Sequence, residues 1–303
     1  MAKAAANGIE IEYETFGNPS DRALLLIIGL GGQLLQWDEV LCRELAACGH
    51  YVIRYDNRDT GLSSKIDKAG EPNFRDSLEK VISGDKSVAP YSIGDMADDA
   101  AGLIKALGIP AAHICGMSMG GMIAQTLALR HPSLVLSLIS IYSTTGNPRL
   151  PQPKPEILGT LLTPPPTERE ANIEYMLRFF KMIAGPAFPV DEKWTRRMLA
   201  ASYDRFFYTA GIARQLLAIL TQDNRTAALT SIKAPTLVIH GTADPLASVE
   251  GGKETAASIP GAELLLIEGM GHDLPHGGAW PKIVEAIAAH TQKAVKSPGN
   301  GKE

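Results

Sequence analysis

The chain has 303 residues, with 29 basic against 33 acidic side chains, a formal charge of -4, 45% hydrophobic and 20% charged residues. That balance offers no basic footprint for nucleic acid and no polybasic membrane patch, while the length is enough to bury a large core in a single domain. Three cysteines, Cys42, Cys48 and Cys115, are too few and too scattered for a disulfide framework or a zinc site, and they fit a reducing compartment.

The first residues lack a charged region followed by an apolar run, and no stretch reaches about 18 apolar residues, so the chain reads as cytoplasmic and without a membrane span. Residues 9–16 and 23–28 read as early strands, 37–48 as a helix and 51–55 as a strand. Residues 65–89 are polar and Gly-punctuated, a long loop or partly helical excursion. Ser92 with Asp95 three residues on is a capping-box signature for a helix running to about Leu107, on which Asp95, Asp98 and Asp99 read as helix-start and solvent-face acids. A buried strand at 112–115, a helix from 122 to 130 and a strand at 134–141 follow, with Cys115 as a small core residue. Between 144 and 224 no strand signal appears, and prolines punctuate the entry, so this segment is expected to be a helical cap over a core made of 1–143 and 225–303. Its apolar residues are Met176, Phe179, Phe180, Met182, Phe188, Trp194, Met198, Tyr203, Phe206, Phe207 and Tyr208, most expected to hold the cap helices together and a minority to line a pocket. Strands at 235–241 and 262–267 complete the alternation, which predicts a mostly parallel sheet of about eight strands with helices on both faces. The tail from Val295, with Ser297-Pro298-Gly299-Asn300-Gly301, reads as a mobile end.

Gly116-Met117-Ser118-Met119-Gly120-Gly121 is a G-x-S-x-G sequence set between a strand and a helix, the context of a nucleophile elbow. The tight turn needs small neighbours two residues either side of the serine, and both are glycine. A serine hydroxyl is a weak nucleophile at neutral pH, so the reading requires an acid and a base later in the chain. Asp244 stands just after one strand and His272 on a glycine-flanked loop after the next. His272 would take the Ser118 proton while Asp244 fixes its tautomer, and the Met119 N–H at the helix start would hold a developing oxyanion.

These motifs resemble the α/β-hydrolase superfamily from Ile9 to about Thr291. Ile28-Gly29-Leu30-Gly31-Gly32 stands where that family carries its His-Gly-x oxyanion loop, with Ile28 replacing the usual histidine; the resemblance implies Leu30 N–H as the second oxyanion donor, with Gly31 as fallback. Asp56-Asn57-Arg58-Asp59-Thr60-Gly61-Leu62-Ser63 matches the family's Asp-x-Arg-x-x-G-x-S turn, and the wording is most similar to the aclacinomycin methylesterase-like hydrolases. The resemblance implies a carboxylesterase working through an acyl-enzyme on hydrophobic small-molecule esters, without metal or organic cofactor; a homodimer is left open. Lactonases, C–C bond hydrolases, perhydrolases and slow-turnover ligand receptors share the same constellation, while serine at 118 argues against carboxylate-nucleophile dehalogenases and epoxide hydrolases. His240 reads as a strand-end residue with a backbone partner, and His276 lies among Gly and Pro that oppose a helical metal pair with His272. Arg58 is expected to pair with Asp56 or Asp59 within its own turn.

Overall fold

Eight strands of five to eight residues, most of them rich in Leu, Ile and Val, form one sheet in the computed structural model, which describes residues 1–296 and at 74, 75, 295 and 296 the backbone alone. The expected mobile tail falls from residue 297 onward outside the described residues. The strands are β1 (Ala2–Ala6), β2 (Ile9–Phe16), β3 (Arg22–Ile27), β4 (His50–Tyr55), β5 (Ala112–Met117), β6 (Val135–Ile141), β7 (Thr236–Gly241) and β8 (Glu263–Ile267), in the spatial order β1-β2-β4-β3-β5-β6-β7-β8. β2 runs antiparallel to both β1 and β4, and the remaining pairs are parallel. β1 is a strand that composition does not signal, because alanines carry little strand preference and its pairing with β2 supplies the order.

A parallel sheet covered on both faces needs apolar residues at every strand position, and their alternation sorts them into two cores. Leu25, Ile27, Ile53 and Ile114 pack with α3 (Ile93–Ala106) and α4 (Met119–Arg130). Leu24, Leu26, Ile28 and Ile139 pack on the other face with α1 (Glu39–Ala47) and α11 (Trp280–Lys296). The polar excursion at 65–89 contains one helix, α2 (Phe74–Ile82), between 3₁₀ turns. α3 carries the expected capping box, with Ser92 and Asp95 satisfying each other's backbone N–H.

The acids of α3 differ from expectation at one position. Asp99 is 2% exposed and takes both Nε and Nη2 of Arg58 at 2.6 Å, so it is a buried partner and not a solvent-face residue. Asp56 and Asp59, the partners expected for Arg58, instead bind arginines from the segment between β6 and β7. That segment contains α5 (Pro155–Leu161), α6 (Arg169–Ile183), α7 (Glu192–Arg205) and α8 (Thr209–Leu220), followed by the short α9 (Thr226–Leu229) before β7. Arg205 binds Asp56 Oδ2 at 2.6 Å, and Arg214 binds Asp59 through Nε and Nη2, each at 2.8 Å. α10 (Val249–Ser258) separates β7 from β8. No helix among the described residues is long and apolar enough to cross a membrane.

Candidate active site

From β3 the chain first moves outward to β4 and then returns past β3 to β5, so the strand order reverses between β3 and β5. Crevices at such a reversal, outside the carboxyl ends of the strands, are where open α/β sheets bind ligands. The segments leaving β3 and β5 there are Ile28-Gly29-Leu30 and Met117-Ser118-Met119.

Ser118 has φ 54° and ψ -122°, a conformation that side chains rarely adopt. The glycines around it are required by close approach: a Cβ on Gly116 would meet the Gly120 carbonyl oxygen, and one on Gly120 would meet the Ile27 carbonyl oxygen. The strained residue is held on both sides, because Ser118 N–H donates to Ile141 O at 2.9 Å and Ser143 Oγ donates to Ser118 O at 2.8 Å.

The structure brings the three residues singled out by sequence into one hydrogen-bonded chain. His272 Nε2 lies 2.9 Å from Ser118 Oγ, and His272 Nδ1 lies 2.7 Å from Asp244 Oδ2. The other Asp244 oxygen accepts the Leu246 and Ala247 amides at 2.9 and 2.8 Å, so the carboxylate cannot rotate away. Burial pushes the Asp244 carboxyl upward, but the charge and hydrogen bond of His272 and the hydrogen bond of His240 outweigh it and hold the group down at about 2. Asp244 therefore stays ionised and accepts the proton of His272 Nδ1, which leaves Nε2 facing Ser118 Oγ. The His272 amide is anchored from outside the sheet, donating to Ile183 O at the end of α6 at 2.8 Å.

Leu30 and Met119 donate their amides to no other group among the described residues. Gly31 is unsuited to the fallback role because its N–H donates to Gln215 Oε1 at 2.9 Å. Gly29 lies against Ser118: a Cβ there would sit 3.2 Å from Ser118 Cβ. The loop after β3 is tied to the turn after β4 by Asn57, whose Nδ2 donates to Ile28 O at 3.0 Å, and by Asp56 Oδ1, which accepts the Leu34 amide at 2.8 Å. The Asp-x-Arg turn is thus a brace beneath the Leu30 loop.

Sequence reasoning missed Tyr142 and Asp273. The Tyr142 ring lies 4.7 Å from the His272 ring, and Asp273 is 8% exposed with Oδ1 unpartnered among the described residues. Burial pushes the Asp273 carboxyl up to about 7, with neighbouring His272 opposing the rise and Asp244 adding to it. A carboxyl group placed beside His272 by adjacency alone carries no motif, so only packing could reveal its burial. His240 Nε2 lies 2.8 Å from Ala247 O, the expected backbone partner, and the same nitrogen is 3.3 Å from Asp244 Oδ2. His276 stacks on Trp194 at 4.8 Å and approaches Asp191 at 3.4 Å, an aromatic and polar contact.

Ser118 and His272 open into a cavity of about 950 Å³, large enough for a polycyclic ligand and roofed by α5–α8. Of the eleven apolar residues named in the segment, five line it, Met176, Phe179, Phe180, Trp194 and Met198, a minority as expected. Met198 belongs at the same time to the segment's own small core, with Met176, Phe180 and Trp194 packed against it, so holding the helices together and lining the cavity are not exclusive. Tyr203, Phe206, Phe207 and Tyr208 line a separate small crevice.

Residues 22–279 match the family model described as the alpha/beta hydrolase fold. The chain is 32% identical over 302 residues to rhodomycin D methylesterase DnrP of Streptomyces peucetius, covering 93% of this chain and 95% of that one, and equally to rhodomycin D methylesterase DauP of Streptomyces sp. strain C5. Among solved structures, the esterase RhEst1 from Rhodococcus sp. ECU1013 superposes with a TM-score of 0.74 at 19% identity, covering 97% of this chain and 98% of that one, a likeness of fold. By the family match over most of its length, this chain is a member of the α/β-hydrolase family.

Proposed function

We propose that the protein is a serine esterase that cleaves carboxylic esters with a bulky, hydrophobic acyl part, using Ser118 as nucleophile, His272 as general base and Asp244 as its orienting acid. The observation that carries the reading is the bridging imidazole, 2.9 Å from Ser118 Oγ and 2.7 Å from Asp244 Oδ2, at the wall of a large cavity. The relatives named rhodomycin D methylesterase support the bond type, a methyl ester, and the cavity supports the bulk of the acyl part.

In the first step Ser118 Oγ attacks the ester carbonyl as His272 Nε2 accepts its proton, and Asp244 stabilises the imidazolium. The Leu30 and Met119 amides receive the negative charge that develops on the carbonyl oxygen, aided by the positive end of α4. The imidazolium protonates the departing alcohol, and the same histidine then activates water to release the acid. Residues 144–224 serve as a cap that excludes bulk water and shapes the acyl site.

The test is hydrolysis of p-nitrophenyl esters of rising acyl length and of methyl esters of aromatic acids, with Ser118→Ala in parallel. Sustained turnover that disappears in the variant is the expected result, with a preference for large acyl groups. Equal rates in both proteins would remove Ser118 from the mechanism, and a single-turnover burst would turn the reading toward a ligand receptor.

A further inference from the structure

Tyr142 follows β6 with φ 34°, a left-handed conformation that a bulky aromatic residue adopts only when its surroundings impose it. The surroundings that impose it belong to the nucleophile and its neighbours. Tyr142 N–H donates to Ile239 O at 2.8 Å, the preceding Ile141 carbonyl accepts the Ser118 amide, and the following Ser143 hydroxyl donates to Ser118 O. The phenol hydroxyl reaches Met117 Sδ at 2.9 Å, which fixes the ring from its far end. The result is a buried aromatic ring whose centroid is 4.7 Å from that of His272, inclined at 55°. Glycine or asparagine would tolerate this backbone more readily. What tyrosine adds is a ring against the imidazole.

Resting on the serine-esterase reading, we propose that Tyr142 is a positioning residue for His272: its ring holds the imidazole on the line between Asp244 and Ser118 and stabilises the imidazolium by a cation–π contact. The centroid separation falls within the range of about 6 Å over which such contacts act. The other charged or titratable groups at this histidine are Asp244 at Nδ1, Asp273 next in the chain, and His240 through the shared Asp244 oxygen. Burial, with Asp273 and Asp244 nearby, holds the Tyr142 phenol well above its usual range, so it contributes a neutral ring throughout the working pH range.

The experiment compares the wild type with Tyr142→Leu, Tyr142→Asn and Tyr142→Phe in kcat, KM, pH profile, melting temperature and rate of Ser118 labelling by a fluorophosphonate. Leu and Asn should lower kcat by about 10- to 100-fold with KM within about threefold, a partial loss of a general-base contribution that is worth about 10²–10⁴-fold in full. In both, the acidic limb of kcat/KM should move to lower pH, because an imidazolium without the ring is destabilised by about 2- to 30-fold. Tyr142→Leu and Tyr142→Asn should both melt lower than the wild type, since each empties the place of a buried ring, and Tyr142→Phe, which keeps the ring, should recover most of the rate. Wild-type kcat in the Asn variant, an acidic limb that moves upward, or a Phe variant as slow as Leu would each overturn the proposal. If the wild type turns over no ester, the esterase reading fails, and the labelling rates alone decide between a ring that primes Ser118 and one that does not.

Discussion

Arg214→Met should cost about 3–5 kcal/mol of stability, the range for removing one partner of a buried ion pair and leaving the other uncompensated. Both side chains of the Arg214–Asp59 pair are fully buried, and the guanidinium engages the two carboxylate oxygens as a fork at 2.8 Å. Arg214 also donates to Gly70 O at 2.6 Å and to the Tyr208 hydroxyl at 2.8 Å, so the substitution empties one fork and two further bonds. With an unfolding entropy of about 2.1 cal/mol/K per residue, a chain of 303 residues should melt roughly 5–8 °C lower, read by thermal circular dichroism. Adding Asp59→Asn removes the stranded charge and keeps an acceptor for the Ile66 amide, which Asp59 now receives at 2.7 Å. The double variant should therefore recover most of the loss, since a buried pair replaced as a unit is often neutral.

Burial pushes the Asp59 carboxyl upward, but the hydrogen bond of Arg214 and the Ile66 amide hold it below its ordinary 3.8. A depressed carboxylate contributes stability that is present above 3.8 and lost as pH falls through the folded value. The gap between wild type and Arg214→Met should thus narrow in acid. The adjacent Gln215 holds Gly31 N–H and Arg58 O, at 2.9 and 2.8 Å, so the same variant should raise KM for the preferred ester severalfold. A single variant that loses under 1 kcal/mol, as exposed pairs do, or a double variant no more stable than the single, would refute the claim that this pair clamps the helical segment to the sheet.

Asp273→Asn should become more stable than the wild type as pH rises. A carboxyl raised to about 7 carries stability that is full below 3.8 and lost as pH climbs through 7, so the gain should grow to roughly 4 kcal/mol above neutrality. Melting curves at pH 4 and 8.5 that differ equally between the two proteins would show that Asp273 does not titrate in that window. Gly120→Ala should destabilise by about 3 kcal/mol or more and abolish turnover, because its Cβ collides with the Ile27 carbonyl. Gly159→Ala, in exposed α5 with nothing within 4 Å, should instead gain about 0.5–1 kcal/mol, and a loss in thermal melts would contradict that geometry.

Much of the sheet was legible because six of the eight strands are short runs rich in apolar residues bounded by Gly, Pro or polar residues, and β2 alternates apolar and polar residues. β1 does not; its alanines become a strand through the register with β2, a tertiary cause. The helix boundary at Ser92 was legible because a capping box is local, whereas the burial of Asp99 is decided by Arg58, 41 residues away. The pairing of Asp56 and Asp59 lay further out of reach, since their arginines stand 149 and 155 residues downstream on α7 and α8. Residue type signalled a structural ion pair in the turn, and nothing in the spacing named the partner.

The site divides along the same line. At Ser118 the crowding around a left-handed residue is relieved locally, by removing side chains at Gly116 and Gly120, and that removal is visible as a motif. At Tyr142 a left-handed residue is held by bonds to Ile239 and by neighbours bonded to Ser118, so its flanks, Ile141 and Ser143, carry no glycine and no pattern. Strain leaves a trace in the sequence only where neighbouring residues must shrink to admit it. Where separate strands impose it, the trace is distributed over backbone bonds that any side chain can make. The surroundings of His272 are therefore harder to read than the turn at Ser118: the turn is marked by five consecutive residues, whereas the imidazole's neighbours come from the ends of β5, β6 and β7 and from the end of α6.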